Sequence, residues 1–133
     1  MEQNKLKLKD YCLTIEQAKE LQALGVNMSD SMMVHFTLID GTKIICERYE
    51  LSGDKDYIDT LTNTEMLEML PKEIDNCQLK IVPFNEGYCV EYELYMEHSV
   101  YVTKDGNTLD FCFPILKDAL FEMIKCLKTN KLM

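Results

Sequence analysis

The strongest constraint in the chain lies near its C-terminus. Ile115, Leu116, Ala119, Leu120, Met123, Ile124 and Leu127 recur at helical spacing and fill one half of a helical wheel. A stripe of that width must be buried against something else, because a lone helix of this length is marginal in water. Pro114 suits the first turn of such a helix. The spacing predicts a helix over 114–128. The question then is what it packs on.

Upstream, alternation supplies the partner. In 88–96, Tyr88, Val90, Tyr92 and Leu94 alternate with Cys89, Glu91, Glu93 and Tyr95, so one face is apolar and the other mostly acidic. Such a pattern marks a half-buried antiparallel strand. It pairs with 78–84 across Asn85-Glu86-Gly87. A third arm near 99–103 turns at Lys104-Asp105-Gly106-Asn107 into a short apolar stretch at 109–113. A second hairpin is expected from 33–40 and 43–50 around Asp40-Gly41-Thr42, the Asp-Gly pair suggesting a two-residue type I′ turn.

Two more helices announce themselves by their caps. Thr14 with Gln17 has the capping-box form, followed by Ile15, Ala18, Leu21 and Leu24, and Gly25 then offers a left-handed terminus. This predicts a helix over 14–24. Thr62 with Glu65 forms a second box, and Pro71 closes a short helix from about 63 to 70. Residues 51–60 lack periodicity and read as an acidic loop, and 1–10 as a flexible, lysine-dotted lead-in. The expected fold class is α+β. One antiparallel sheet of about five strands is packed by N-terminal and C-terminal helices, with a short middle helix.

A chain of 133 residues fits a single domain, 1–133, and can bury a normal core without disulfides or metal. No apolar run resembles a signal peptide or a membrane span. The default expectation is therefore a cytoplasmic protein with no membrane contact.

The six cysteines, Cys12, Cys46, Cys77, Cys89, Cys112 and Cys126, form no CxxC pair. They read as six reduced thiols in apolar contexts, with no metal and no cofactor.

The formal net charge is −9, and residues 40–97 carry all of it, with 14 acids against 5 bases. Arg48 is the only arginine. Nucleic-acid binders present clustered lysine and arginine to phosphate, so direct DNA or RNA binding is disfavoured.

Candidate chemistry is sparse. His35 sits in an alternating strand, where a structural or solvent-facing role is expected. Glu97, His98 and Ser99 are adjacent, and neighbours along a strand cannot converge as a triad. Asp54, Asp56, Asp59 and Glu65 hint at a calcium loop, but the central glycine is missing. The five glycines stand singly at turns and cradle no phosphate. No catalytic residue is assigned, and the expectation is that the chain is not an enzyme.

The stretches Cys12–Leu21 with Leu24-Gly25-Val26, Leu67–Ile74, and Leu116–Ile124 with Leu127-Lys128 resemble three amphipathic segments of small proteins from Bacteroides-type phages and integrated mobile elements. Together they cover about a third of the chain. Cys126 departs from a tryptophan found nearby in many of those proteins. The resemblance implies a mobile-element origin and brings no site residues with it.

The leading functional expectation is an accessory protein that binds another protein. The alternatives are an acidic mimic of nucleic acid that inhibits a DNA-binding host protein, and an antitoxin-like module. Phe121 is the candidate contact. On the wheel it falls outside the apolar arc, among Lys117, Lys125 and Lys128, where it is either covered by a loop or the N-terminal segment or, left exposed, anchors an unidentified partner or a second copy in a dimer.

Overall fold

The computed structural model describes residues 8–48, 57–94, 96–97 and 99–133. Three helices and seven strands alternate along the described chain. Helix α1 (Ile15–Ala23) precedes strands β1 (Met33–Thr37), β2 (Lys43–Glu47) and β3 (Tyr57–Asp59). Helix α2 (Asn63–Met69) precedes β4 (Glu73–Ile74), β5 (Cys77–Phe84), β6 (Gly87–Leu94) and β7 (Asp110–Phe113), and helix α3 (Leu116–Thr129) follows. The α+β class with antiparallel pairing holds. The strands divide into two sheets, ordered β2-β1-β3 and β4-β5-β6-β7, rather than forming one of about five. The added strands are β3, in what reads as loop, and the two-residue β4. Both are too short to show periodicity.

The helix starts follow their capping boxes. Thr14 Oγ1 accepts from Gln17 N at 3.0 Å while Gln17 Oε1 accepts from Thr14 N at 3.0 Å. Thr62 and Glu65 repeat the arrangement at 3.2 and 3.0 Å. Helix α1 closes as its glycine requires. Gly25 has φ 94°, Gly25 N donates to Gln22 O, and Val26 N donates to Leu21 O.

The Asp40-Gly41 turn differs from expectation. Leu38 N donates to Thr42 O at 2.7 Å, enclosing Ile39, Asp40 and Gly41 in a three-residue loop. Gly41 has φ 90°, whereas Asp40 does not take a positive φ, so the turn is not type I′. Asp40 Oδ1 accepts from Thr42 N at 2.9 Å, a local bond across the longer loop.

The core lies between α3 and the second sheet. Leu120, Met123, Ile124 and Leu127 are fully buried, as are Val90, Tyr92 and Leu109. Tyr92 satisfies its hydroxyl by donating to Pro71 O at 2.7 Å, which ties the end of α2 to the sheet. Strand β5 keeps Pro83 because Phe84 pairs with Gly87 at the hairpin's close, which turns the Pro83 nitrogen away from β6.

The first sheet is riveted by Arg48. Its guanidinium donates to Ser31 O at 2.7 Å and Ser31 Oγ at 2.9 Å, pairs with Asp59, and lies 5.6 Å from the Tyr57 ring centroid. The sole arginine is thus committed to internal contacts.

Residues 8–10, expected in a flexible lead-in, form a 3-10 turn, and Lys9 O accepts from Lys117 Nζ at 3.1 Å. Residues 1–7 of that lead-in lie outside the described residues. No described helix is long and apolar enough to cross a membrane.

Candidate functional site

Side chains on successive strand residues point to opposite faces, so the register of the second sheet sorts them into rows. On the face under α3 stand Val90 and Tyr92. The opposite face carries three cross-strand rows. Lys80 faces Glu91, which faces Asp110; Val82 faces Cys89, which faces Cys112; Gln78 faces Glu93. Gln78, Lys80, Val82, Asp110 and Cys112 are exposed.

The charged row is crowded. Lys80 Nζ reaches diagonally to Glu93 Oε1 at 2.6 Å. Burial first, then its hydrogen bond to Glu93 and the charge of Asp110, push the Glu91 carboxyl above the ordinary glutamate range. Glu91, Glu93 and Asp110 therefore crowd one side of the sheet around Lys80.

The tip of the β5–β6 hairpin is apolar. Phe84 is 56% exposed and Val82 39% on this open face, and Tyr88, 41% exposed, and Ile81 stand on the face of Val90. Phe84, Tyr88, Cys112, Phe113 and Pro114 line a shallow groove of about 480 Å³ at this end. Its floor depends on Gly87, where an added Cβ would lie 2.3 Å from Phe113 O.

Cys89 and Cys112 are joined by a disulfide with Cα atoms 4.0 Å apart. This corrects the expectation of six free thiols; Cys12, Cys46, Cys77 and Cys126 are free. The reason is register. The two cysteines stand directly opposite each other on β6 and β7, where antiparallel strands bring facing side chains closest. Alternation along 88–96 already put Cys89 with the acids, whereas 109–113 read only as a short apolar stretch. Their pairing across 23 residues of sequence depended on how the arm between them folds back.

The candidate contact residues lie elsewhere, and of the two readings of Phe121 the structure has the covered one. Phe121 is 4% exposed and belongs to the core cluster. Helix α1 covers that flank of α3. Gln17 Nε2 donates to Asp118 Oδ1 at 2.9 Å, and Glu20 pairs with Lys125 at 2.7 Å. Lys125 Nζ sits 5.7 Å from the Phe121 ring centroid, and Lys117 is itself buried on Lys9 O. Lys128, in the last turn of α3, is partly exposed. Lys125 thus lies over the Phe121 ring, α1 bonds to α3 along the same flank, and Phe121 is no free anchor.

The remaining candidates are also placed. His35 Nε2 donates to Leu13 O at 2.6 Å, a structural bond joining β1 to the entry of α1. Of the calcium-like set, Asp59 pairs with Arg48 and Glu65 caps α2, while Asp54 and Asp56 lie outside the described residues. His98 does too, so the Glu97–His98–Ser99 neighbourhood is described only in part.

No protein-family model, no curated protein and no solved structure matches the chain.

Proposed function

We propose that this chain is a non-enzymatic binding protein that docks a basic segment of another protein on the open face and tip of its second sheet. The observation that carries this reading is the joint exposure of Val82 and Phe84 on the same face as the row of Glu91 and Asp110. A single exposed apolar side chain is ordinary, but apolar neighbours on one face beside a row of charge mark an interaction surface. Aromatics supply anchor energy at such sites, and the carboxylates select lysine or arginine on the partner and speed its approach. The net charge of −9 extends that attraction over the molecule and repels nucleic acid. The likeness of three amphipathic stretches to proteins of phages and mobile elements suits an accessory role in the cytoplasm. A partner that uses its own nucleic-acid-binding surface here would make the chain an acidic mimic.

The test is site-specific photo-crosslinking in host extract. A photoreactive phenylalanine analogue replaces Phe84 in one sample and the exposed Asp30 in another. We expect a discrete protein adduct from position 84 alone, abolished by Glu91→Lys with Asp110→Lys. Identical adducts from both positions, or an adduct indifferent to charge reversal, would refute the reading.

A further inference from the structure

We infer that the reduced Cys89 and Cys112, with Asp110, form a site for one thiophilic divalent metal ion of the zinc class, which the disulfide keeps closed. The juxtaposition is specific. Among the described residues, Cys89 Sγ, Cys112 Sγ and an Asp110 carboxylate oxygen form a group whose ligand atoms all lie within 4.8 Å of one another. Cys112 Sγ and Asp110 Oδ1 stand 3.5 Å apart. A tetrahedral ion with Zn–S near 2.3 Å and Zn–O near 2.0 Å requires an S···O edge of about 3.5 Å, so that edge is already in place.

The second edge needs the bond between the sulfurs to open. Neighbouring side chains across a close antiparallel pair then sit a nonbonded distance apart, and a small χ1 rotation at each meets the remaining S···S edge of about 3.8 Å. Two thiolates and one carboxylate are a soft-to-borderline set that favours zinc over calcium or magnesium. Cys89 is buried while Cys112 and Asp110 are exposed, so the ion enters from solvent and a water fills the fourth position. Glu91, next to Asp110 in its row, adds negative potential at the entrance.

The two states exclude each other, because a bonded sulfur offers no thiolate. Opening takes two electrons and two protons from a dithiol reductant, which leaves as its own disulfide. The ion then displaces one proton from each thiol and binds both sulfurs. A reducing compartment favours the metal-competent form and an oxidising one the disulfide.

The experiment uses the full chain, reduced with a dithiol, desalted without oxygen, and titrated with cobalt(II) as an optical probe for zinc. We expect one equivalent to bind with a thiolate-to-cobalt charge-transfer band, zinc to displace it, and the oxidised chain to show no band. Asp110→Asn should retain the thiolates and weaken binding by at least about tenfold, the scale found even for residues behind the ligands. Cys89→Ser with Cys112→Ser should abolish the band, whereas Cys126→Ser should leave it unchanged. Absence of the band in the reduced wild type overturns the inference. So does an equal band in the oxidised chain, or a band that survives the double serine variant. Should that variant fail to fold, Asp110→Asn decides, and unchanged affinity there overturns the three-ligand site.

Discussion

At Gly87 one added methyl group would meet Phe113 O at 2.3 Å and Pro114 Cα at 2.8 Å, both backbone atoms with no rotamer to yield. Gly87→Ala should therefore push β7 off β6 and destabilise the fold by about 1–3 kcal/mol or more, read as a lower midpoint in urea. Phe121 makes the opposite point, since its burial is compensated by contacts from α1 and Lys125. Phe121→Ala should cost about 3–5 kcal/mol and leave the sedimentation coefficient of the folded protein unchanged. A change in association with intact stability would return Phe121 to an interface. Cys12 gives a pH signature. Burial first, then the charge of Glu65, push its thiol from 9.0 up to about 11. Its folded state holds the proton longer than its unfolded state. Stability should therefore fall as pH rises from about 9 to about 11, through the range where only the unfolded thiol ionises. Urea midpoints of wild type and Cys12→Ala, measured across that range, should show the decline in wild type and a smaller one in the variant.

Among the elements, the β6–β7 pair carries the most testable chemistry. Thiol titration after denaturation without reductant should count four groups, because Cys89 and Cys112 are joined. A count of six would remove the disulfide. Reduction should cost about 3 kcal/mol by the loop-closure argument, since the bridge spans 23 residues. Strand β5 shows how the same sheet limits its own reactivity. β4 reaches only Cys77 and Gln78, so Lys80 to Phe84 run along an edge, and Pro83 withholds one donor from any strand that approaches it. The helices were the most legible elements. Thr14–Gln17, Thr62–Glu65 and Gly25 act within one helical turn, so their signals lie within a few residues of sequence. The turn at Asp40-Gly41 was misread because the hairpin closes between Leu38 and Thr42, which adds Ile39 to the loop, and the dipeptide alone does not set where the flanking strands stop pairing.

For the molecule as a whole, α3 is the element on which the rest depends. Its buried Leu120, Met123, Ile124 and Leu127 meet the second sheet through Val90 and Tyr92, and its other flank meets α1. Each large apolar side chain so buried contributes roughly 1.5–3 kcal/mol, and a small domain's whole stability is only about 5–15 kcal/mol. A chain ending before Ile115 should show no cooperative thermal transition by circular dichroism. A retained sharp melt would mean that the sheets have a core independent of α3.

The sequence by itself determined the antiparallel α+β class, the three helices, the β5–β6 hairpin and the acidic balance. These rest on periodicity, caps and turn residues, whose physical range is a turn or a strand. Tertiary structure decided the division into two sheets, the cover over Phe121 and the meeting of Cys89 with Cys112. Gln17 reaches Asp118 across 101 residues, and Cys89 reaches Cys112 only through the register of β6 on β7. Such contacts follow from how whole elements bury their faces against one another, a choice made by the summed packing of the core and written in no local pattern.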